Sequence, residues 1–185
     1  MLAAVVLDAL GAPPDPELDR AVGPGAAQRL RAELRAMARR WVAELAPGHA
    51  FEATSPAAAA IALHDHDGAV VLVAPDVPGL AAEHARSVLD DLAQGVQLAV
   101  GSAHDARPYL VALAHADADV IERAADGWEA LMALAAERDL KLAMLRPERR
   151  LASPADARAL LLDPLAPAAL LEQLGALGSS RTPDQ

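Results

Sequence analysis

Two aspartates follow apolar runs of the kind that form buried β-strands, and their type and position suit them to binding a cation. Asp76 follows the run VVLVAP, and Asp105 follows LAVGSAH with the run PYLVAL just beyond it. In open α/β proteins, ligands bind beyond the carboxyl ends of the strands, where a carboxylate can hold a metal ion or a sugar hydroxyl. Asp76 and Asp105 are therefore the first candidates for a functional site.

The elements that must position these aspartates alternate between short β runs and amphipathic helical segments. This alternation predicts an α/β fold, a three-layer α/β/α sandwich with a mostly parallel mixed sheet. The predicted strands are residues 5–7, 50–53, 70–74, 96–100, 109–113 and 141–145. The predicted helices are residues 25–45, 81–94, 127–139 and 168–177, with two more that begin after the caps Ser55 and Ser153.

Composition argues against several classes of function. The net charge of −10 disfavours nonspecific binding to nucleic acid or to anionic membranes, which requires a cationic face. Cysteine is absent, so disulfides and thiolate metal ligands are excluded. The apolar opening MLAAVVLDAL has no basic segment before it and is too short to span a bilayer. We expect a cytoplasmic protein that contacts neither nucleic acid nor membrane.

Three polar clusters have a structural interpretation that we favour over a functional one. Arg31, Arg35 and Arg39 recur every four residues on one helix, as on a solvated basic face, although they could bind an anion. Residues 64–67 read HDHD before Gly68, which is typical of a turn rather than of a metal site. His104 beside Asp105 is interpreted as part of an exposed loop.

Two longer stretches resemble motifs of a known family. Residues 74–80 read APDVPGL, where the family pattern is similar to G-S-D-C-P-D-L, and residues 101–113 read GSAHDARPYLVAL against G-P-A-E-D-G-G-Y-Y-L-I-G-L. Residues 22–30, VGPGAAQRL, resemble L-G-P-x-A-A-x-x-L. These stretches resemble the GT-A-type glycosyltransferases and nucleotidyltransferases that include the radical-SAM and selenodomain-associated transferase 1 proteins. Molybdopterin and phospholactate guanylyltransferases are more distant relatives of that group.

The resemblance implies a nucleotide-diphospho-sugar transferase (GT-A) fold, a nucleotide or nucleotide-sugar ligand, and Mg²⁺ or Mn²⁺ as cofactor. It implies that Asp76 holds the metal with help from Asp105, and that Asp105 and Tyr109 act in catalysis by positioning the acceptor. The residues it assigns to binding of the nucleotide are Arg20, Asp76, Gly101 and Arg107. Of these, Arg20 and Arg107 would have to replace cations that the family has and this chain lacks.

Two of the family's motifs are altered in ways that change charge. Where the family has a basic loop similar to P-G-R-V-K-T-R-L, this chain has Asp15, Pro16, Glu17 and Leu18, so that phosphates would meet carboxylates. Where the family has D-V-D-T-P-E-D-L, residues 150–157 read RLASPADA, which keeps the helix cap and loses the second metal ligand. Asp76 alone would bind Mg²⁺ weakly.

Two hypotheses follow. We favour a degenerate homologue, or pseudoenzyme, in which catalysis is lost or altered and the chain acts as a ligand-binding or interaction module. The alternative is an active, divalent-metal-dependent nucleotidyl- or glycosyltransferase that uses a nucleotide or nucleotide-sugar donor. In either case we expect a single domain over residues 1–178, followed by a disordered tail at residues 179–185.

Overall fold

The computed structural model describes residues 1–179, over which the chain forms six strands and eight α-helices. The strands are β1 (Leu2–Leu7), β2 (Ala50–Ala53), β3 (Ala69–Val73), β4 (Leu98–Ala103), β5 (Pro108–Leu113) and β6 (Leu142–Glu148). The helices are α1 (Pro16–Val22), α2 (Pro24–Leu45), α3 (Pro56–Ala62), α4 (Ala82–Ala93), α5 (Ala118–Arg123), α6 (Trp128–Glu137), α7 (Pro154–Leu161) and α8 (Ala168–Ser179). The predicted disordered tail lies outside the described residues, apart from Ser179, which ends α8.

All the strands join one sheet in the order β2-β1-β3-β5-β4-β6. β1 pairs in parallel with β2 and β3, and β4 pairs in parallel with β6. β5 is antiparallel to both of its neighbours, β3 and β4. The predicted mostly parallel mixed sheet is therefore confirmed, and the carboxyl ends of β1, β3, β4 and β6 share one edge with the start of β5.

Helices cover both faces of the sheet. Successive residues of a strand point to opposite faces, and every residue of β5 and residues 70–73 of β3 are buried. Burial on both faces requires a helical layer on each side, as the continuous apolar runs of these strands predict. The three-layer α/β/α architecture is confirmed.

A second apolar cluster, separate from the core around the sheet, forms between helices. α1, α2, α7 and α8 contribute to it, and its fully buried residues include Leu170 and Leu174. Leu151, which follows β6, is also buried in this cluster and anchors the segment after β6 against these helices. No helix within residues 1–179 is long and apolar enough to cross a membrane.

Most predicted elements are confirmed to within a few residues, but two helices were not predicted. α1 begins after Asp15, whose side chain accepts a hydrogen bond from Glu17 N, and α5 begins after Asp117, which caps it in the same way. Both are short helices in segments for which the sequence predicted neither a helix nor a strand. The helix predicted over residues 127–139 is α6, which begins at Trp128 after Gly127; Gly127 has a φ of 103° and makes no side-chain capping hydrogen bond.

Candidate functional site

Three charged side chains from separate segments meet at the carboxyl edge of the sheet. Asp76 follows β3, Asp105 lies in the turn between β4 and β5, and Arg150 follows β6. Main-chain contacts hold two of these segments together, because Leu151 N donates to the carbonyl oxygen of Asp76 at 2.9 Å. The sequence predicted both aspartates here but gave Arg150 no role.

The Arg150 guanidinium lies at the centre of this group. Its Nη1 donates to Asp76 Oδ1 at 2.6 Å, and its Nη2 donates to the carbonyl oxygen of Pro108, also at 2.6 Å. Its Nε lies 3.3 Å from Asp105 Oδ2, as an ion pair whose N–H is not aligned for a hydrogen bond. With 3% of its side chain exposed, the guanidinium is shielded from water and its attraction to the carboxylates is strong.

Asp76 already has a donor on each of its carboxylate oxygens. Arg150 occupies Oδ1, and Ala12 N donates to Oδ2 at 2.7 Å. Burial raises the pKa of the Asp76 carboxyl, and Arg150 and the Ala12 N–H offset part of that rise. The ionised carboxylate therefore depends on Arg150 for its stability.

Asp105 has a local partner as well as Arg150. Its Oδ1 accepts a hydrogen bond from Arg107 N at 3.0 Å, which closes the turn between β4 and β5. Ala106 in this turn has a φ of 61°, in the left-handed region that few residues other than glycine adopt. The Asp105 side chain is 41% exposed. Of the two aspartates, Asp105 is the more exposed to solvent, since the Asp76 side chain is 15% exposed.

The Asp76 and Asp105 carboxylates do not fit a directly bound Mg²⁺ or Mn²⁺ as they stand. A divalent ion on Asp76 would lie close to the guanidinium that shares the same carboxylate. At about 4 Å and an effective dielectric of about 20, a double and a single positive charge repel by roughly 8 kcal/mol. A millimolar site binds its ion with only about 4 kcal/mol. The repulsion from Arg150 exceeds this binding free energy, so a divalent ion is not expected on Asp76. Residues 1–179 also contain no cluster of three metal-binding side chains.

A cavity of about 510 Å³ opens on the Asp76 side of the pair, and we call it the Asp76 cavity. It is lined by the segments after β1 and β3 and by one face of α2; its charged residues are Asp8, Asp15, Arg31, Arg35 and Asp76. Both arginines already have carboxylate partners, since Arg31 pairs with Asp19 at 2.7 Å and Arg35 with Asp8 at 2.8 Å. The cavity therefore has a negative balance of charge.

The arginines of α2 were predicted to form a solvated basic face, but the structure pairs them with carboxylates. Arg35 and Arg39 both contact Glu52, and these contacts lower the pKa of the Glu52 carboxyl. Arg20 lies apart from the Asp76–Arg150 pair, exposed on α1 in a shallow depression with Asp15 and Glu17. The acidic residues that replace the family's basic loop thus form the start of a helix.

A second cavity, of about 630 Å³, opens on the other side of the pair, and we call it the Arg150 cavity. Glu148 at the end of β6 lines it, and Glu148 Oε1 accepts hydrogen bonds from Arg146 Nε at 2.7 Å and from buried His84. His84 Nδ1 accepts a hydrogen bond from Ala81 N, which leaves the ring proton on Nε2 to be donated to Glu148. Glu148 is thus held in one orientation. Sequence reasoning missed both Glu148 and His84.

Two further predicted site residues pack against each other inside the sheet. Gly101 on β4 faces the ring of Tyr109 on β5, and a Cβ on Gly101 would lie 2.6 Å from that ring. The Tyr109 side chain is fully buried, and its hydroxyl donates to the carbonyl oxygen of Arg146 at 3.0 Å. Burial raises the pKa of Tyr109, so its hydroxyl keeps its proton at neutral pH. Both residues contribute to packing beneath the site.

The 64–67 segment and His104 have the structural roles that we favoured. Residues 63–65 form a turn, and His66 Nε2 lies 3.0 Å from the carbonyl oxygen of Ala69. His104 is exposed in the turn that also holds Asp105. Leu170 packs into the helical cluster.

No protein-family model matches the chain, and no curated protein matches it in sequence. Among solved structures, a proposed nucleotide-diphospho-sugar transferase from Desulfovibrio desulfuricans G20 is similar over 99% of this chain and 98% of its own, with a TM-score of 0.67 and 20% identity. Rv0371c from Mycobacterium tuberculosis H37Rv, solved as a complex with manganese, gives a TM-score of 0.48 and 17% identity over 88% of this chain and 98% of its own. The first of these similarities shows that the chain has an α/β fold of the nucleotide-diphospho-sugar transferase type.

Proposed function

We propose that this chain is a degenerate homologue of metal-dependent glycosyl- and nucleotidyltransferases that binds a small molecule without a divalent cation and has lost or altered the transfer chemistry. The observation that carries the proposal is the Asp76–Arg150 ion pair. It occupies the carboxylate that the resemblance assigns to the metal. A transferase of this kind needs a cation to neutralise the donor phosphates in the transition state.

The charges of the Asp76 cavity support a ligand without a polyphosphate. Three aspartates and two arginines line this cavity, and both arginines are already paired, Arg31 with Asp19 and Arg35 with Asp8 of the same lining. A diphosphate would bring at least two more negative charges to these carboxylates, with no unpaired cation in the cavity lining to receive them. A nucleoside or a sugar has hydroxyls that donate hydrogen bonds to carboxylates at no such electrostatic cost. We therefore propose a neutral nucleoside or sugar as the ligand of the Asp76 cavity.

Thermal-shift measurements over a ligand panel test this proposal. The panel holds nucleosides, free sugars, nucleoside triphosphates and nucleotide sugars, each with Mg²⁺, with Mn²⁺ and with EDTA. A ligand at a hundredfold its dissociation constant adds about 2.7 kcal/mol of stability, which raises the melting temperature of a domain this size by about 5 to 10 °C. We expect this rise with a nucleoside or sugar, and we expect EDTA to leave it unchanged.

A matched pair of variants locates the ligand. Ala32 and Ala43 are both exposed alanines of α2, but Ala32 lines the Asp76 cavity whereas Ala43 lies outside the lining of both cavities. We expect A32L to abolish the thermal shift by filling the cavity and A43L to leave it intact. Equal shifts in the two variants would place the ligand elsewhere. A shift from a triphosphate or nucleotide sugar that requires Mg²⁺ and disappears in D76N would contradict the proposal, and a flat panel would contradict the small-molecule ligand.

A further inference from the structure

We propose that the Arg150 guanidinium is a tethered cation that takes the place of a divalent metal ion at the carboxyl edge of the sheet. Three oxygens from two segments converge on it: Asp76 Oδ1 at 2.6 Å after β3, and Pro108 O at 2.6 Å and Asp105 Oδ2 at 3.3 Å from the connection between β4 and β5. Carboxylates and carbonyls are the ligands that hard divalent cations take in proteins. The chain thus surrounds an arginine with the kinds of donor that otherwise surround a metal ion.

The guanidinium is fixed in this position by its surroundings. The hydrogen bond from Leu151 N to the carbonyl oxygen of Asp76 holds the backbone beside Arg150 against the end of β3. Leu151 itself is buried in the helical cluster, so the segment has little freedom to withdraw. An arginine keeps its charge at every accessible pH, and a chelator cannot remove it. The site therefore carries its positive charge permanently.

This inference rests on the proposed function only for the choice of site. Exclusion of a metal ion by Arg150 concerns cations alone and can be measured with no organic ligand present. Arg150 can exclude Mn²⁺ even if no ligand of the thermal-shift panel binds, and a nucleoside can bind even if Arg150 does not exclude Mn²⁺. The two results are therefore distinguishable.

The test replaces Arg150 and measures binding of MnCl₂ alone. R150D removes the guanidinium and adds a third carboxylate to Asp76 and Asp105, so we expect it to bind one Mn²⁺ per chain at least tenfold more tightly than the wild type. Electron paramagnetic resonance of free Mn²⁺ gives the affinity and the stoichiometry. Saturating Mn²⁺ should raise the melting temperature of R150D by about 5 to 10 °C and leave that of the wild type unchanged.

Three further variants interpret the result. R150K keeps a positive charge at this position and should bind no Mn²⁺. The double variant D76N with R150D lacks the Asp76 carboxylate and should not bind the Mn²⁺ that R150D binds. R150M removes the charge and keeps a similar side-chain length. It serves as the test variant if the added carboxylate prevents R150D from folding, and Mn²⁺ should then stabilise R150M. Refolding of R150D that depends on Mn²⁺ would also support the inference. Mn²⁺ bound to the wild type as tightly as to R150D would overturn it, as would the absence of any gain in both R150D and R150M.

Discussion

Replacing Arg150 with methionine is expected to lower the free energy of unfolding by about 3 to 5 kcal/mol, the cost of leaving a buried charge without its partner. Asp76 is the residue left unpaired, since its side chain is only 15% exposed and Arg150 supplies one of its two hydrogen bonds. The Pro108 carbonyl also loses its donor. Equilibrium unfolding in urea measures the loss, which corresponds to a fall of about 6 to 20 °C in melting temperature.

A double substitution separates the unpaired charge from lost packing. D76N with R150M removes both charges, so its stability should exceed that of R150M alone and approach that of the wild type. A loss of less than about 1 kcal/mol in R150M would mean that the pair behaves like an exposed surface ion pair. That result would remove the structural basis of the proposed function.

The pH dependence of R150M provides a second check on the same charge. Burial already raises the pKa of Asp76, and without Arg150 the pKa rises further because the main charge that opposes burial is gone. Below this raised value the folded state holds a proton that the unfolded state has released, so stability increases as the pH falls. We therefore expect the deficit of R150M relative to the wild type to narrow between about pH 7 and about pH 5. A constant deficit would show that Asp76 does not gain a proton over this pH range in R150M, which would contradict the further rise of its pKa.

Replacing Gly101 with alanine is the second change with a large expected effect. Its Cβ would lie 2.6 Å from two carbons of the Tyr109 ring and 2.8 Å from the hydroxyl. The ring has little room to move, because its hydroxyl bonds to Arg146 O and its edge contacts His84 with ring centroids 6.0 Å apart. Overpacking of a rigid core costs about 1 to 3 kcal/mol, and we expect G101A near the upper end of that range by urea unfolding.

Gly175 offers a matched control for G101A. It lies in α8, and a Cβ there would meet nothing within 4 Å. Alanine is about 0.5 to 1 kcal/mol better than glycine inside a helix, so G175A should stabilise the chain slightly. A G101A variant as stable as the wild type would contradict the close packing of Gly101 on β4 against the Tyr109 ring.

The sheet could be predicted from sequence because its strands carry strong local signals. Residues 70–73 and 108–113 are continuous apolar runs bounded by turn residues, and such runs are typical of strands buried on both faces. The caps Ser55 and Ser153, each followed by proline, predicted helix starts that the structure has at those positions. The missed helices α1 and α5 are too short for a periodic pattern, although the caps Asp15 and Asp117 were signals for them.

The site could be predicted only in part. The position of Asp76 and Asp105 followed from the topology of α/β sheets, because both come after strands at the carboxyl edge. Arg150 was given no role, since no local pattern links it to residue 76, which is 74 positions away. The same holds for His84 and Glu148, which are 64 positions apart in sequence. Contacts over such distances depend on the packing of complete elements.

Whether Arg150 excludes a metal ion can be seen in a crystal of the wild-type chain soaked with MnCl₂ and a nucleotide sugar, with data collected at the manganese absorption edge. We expect Arg150 paired with Asp76 and no anomalous peak within coordination distance of either Asp76 or Asp105. A manganese peak on Asp76, with the Arg150 side chain displaced from the carboxylate, would contradict this expectation.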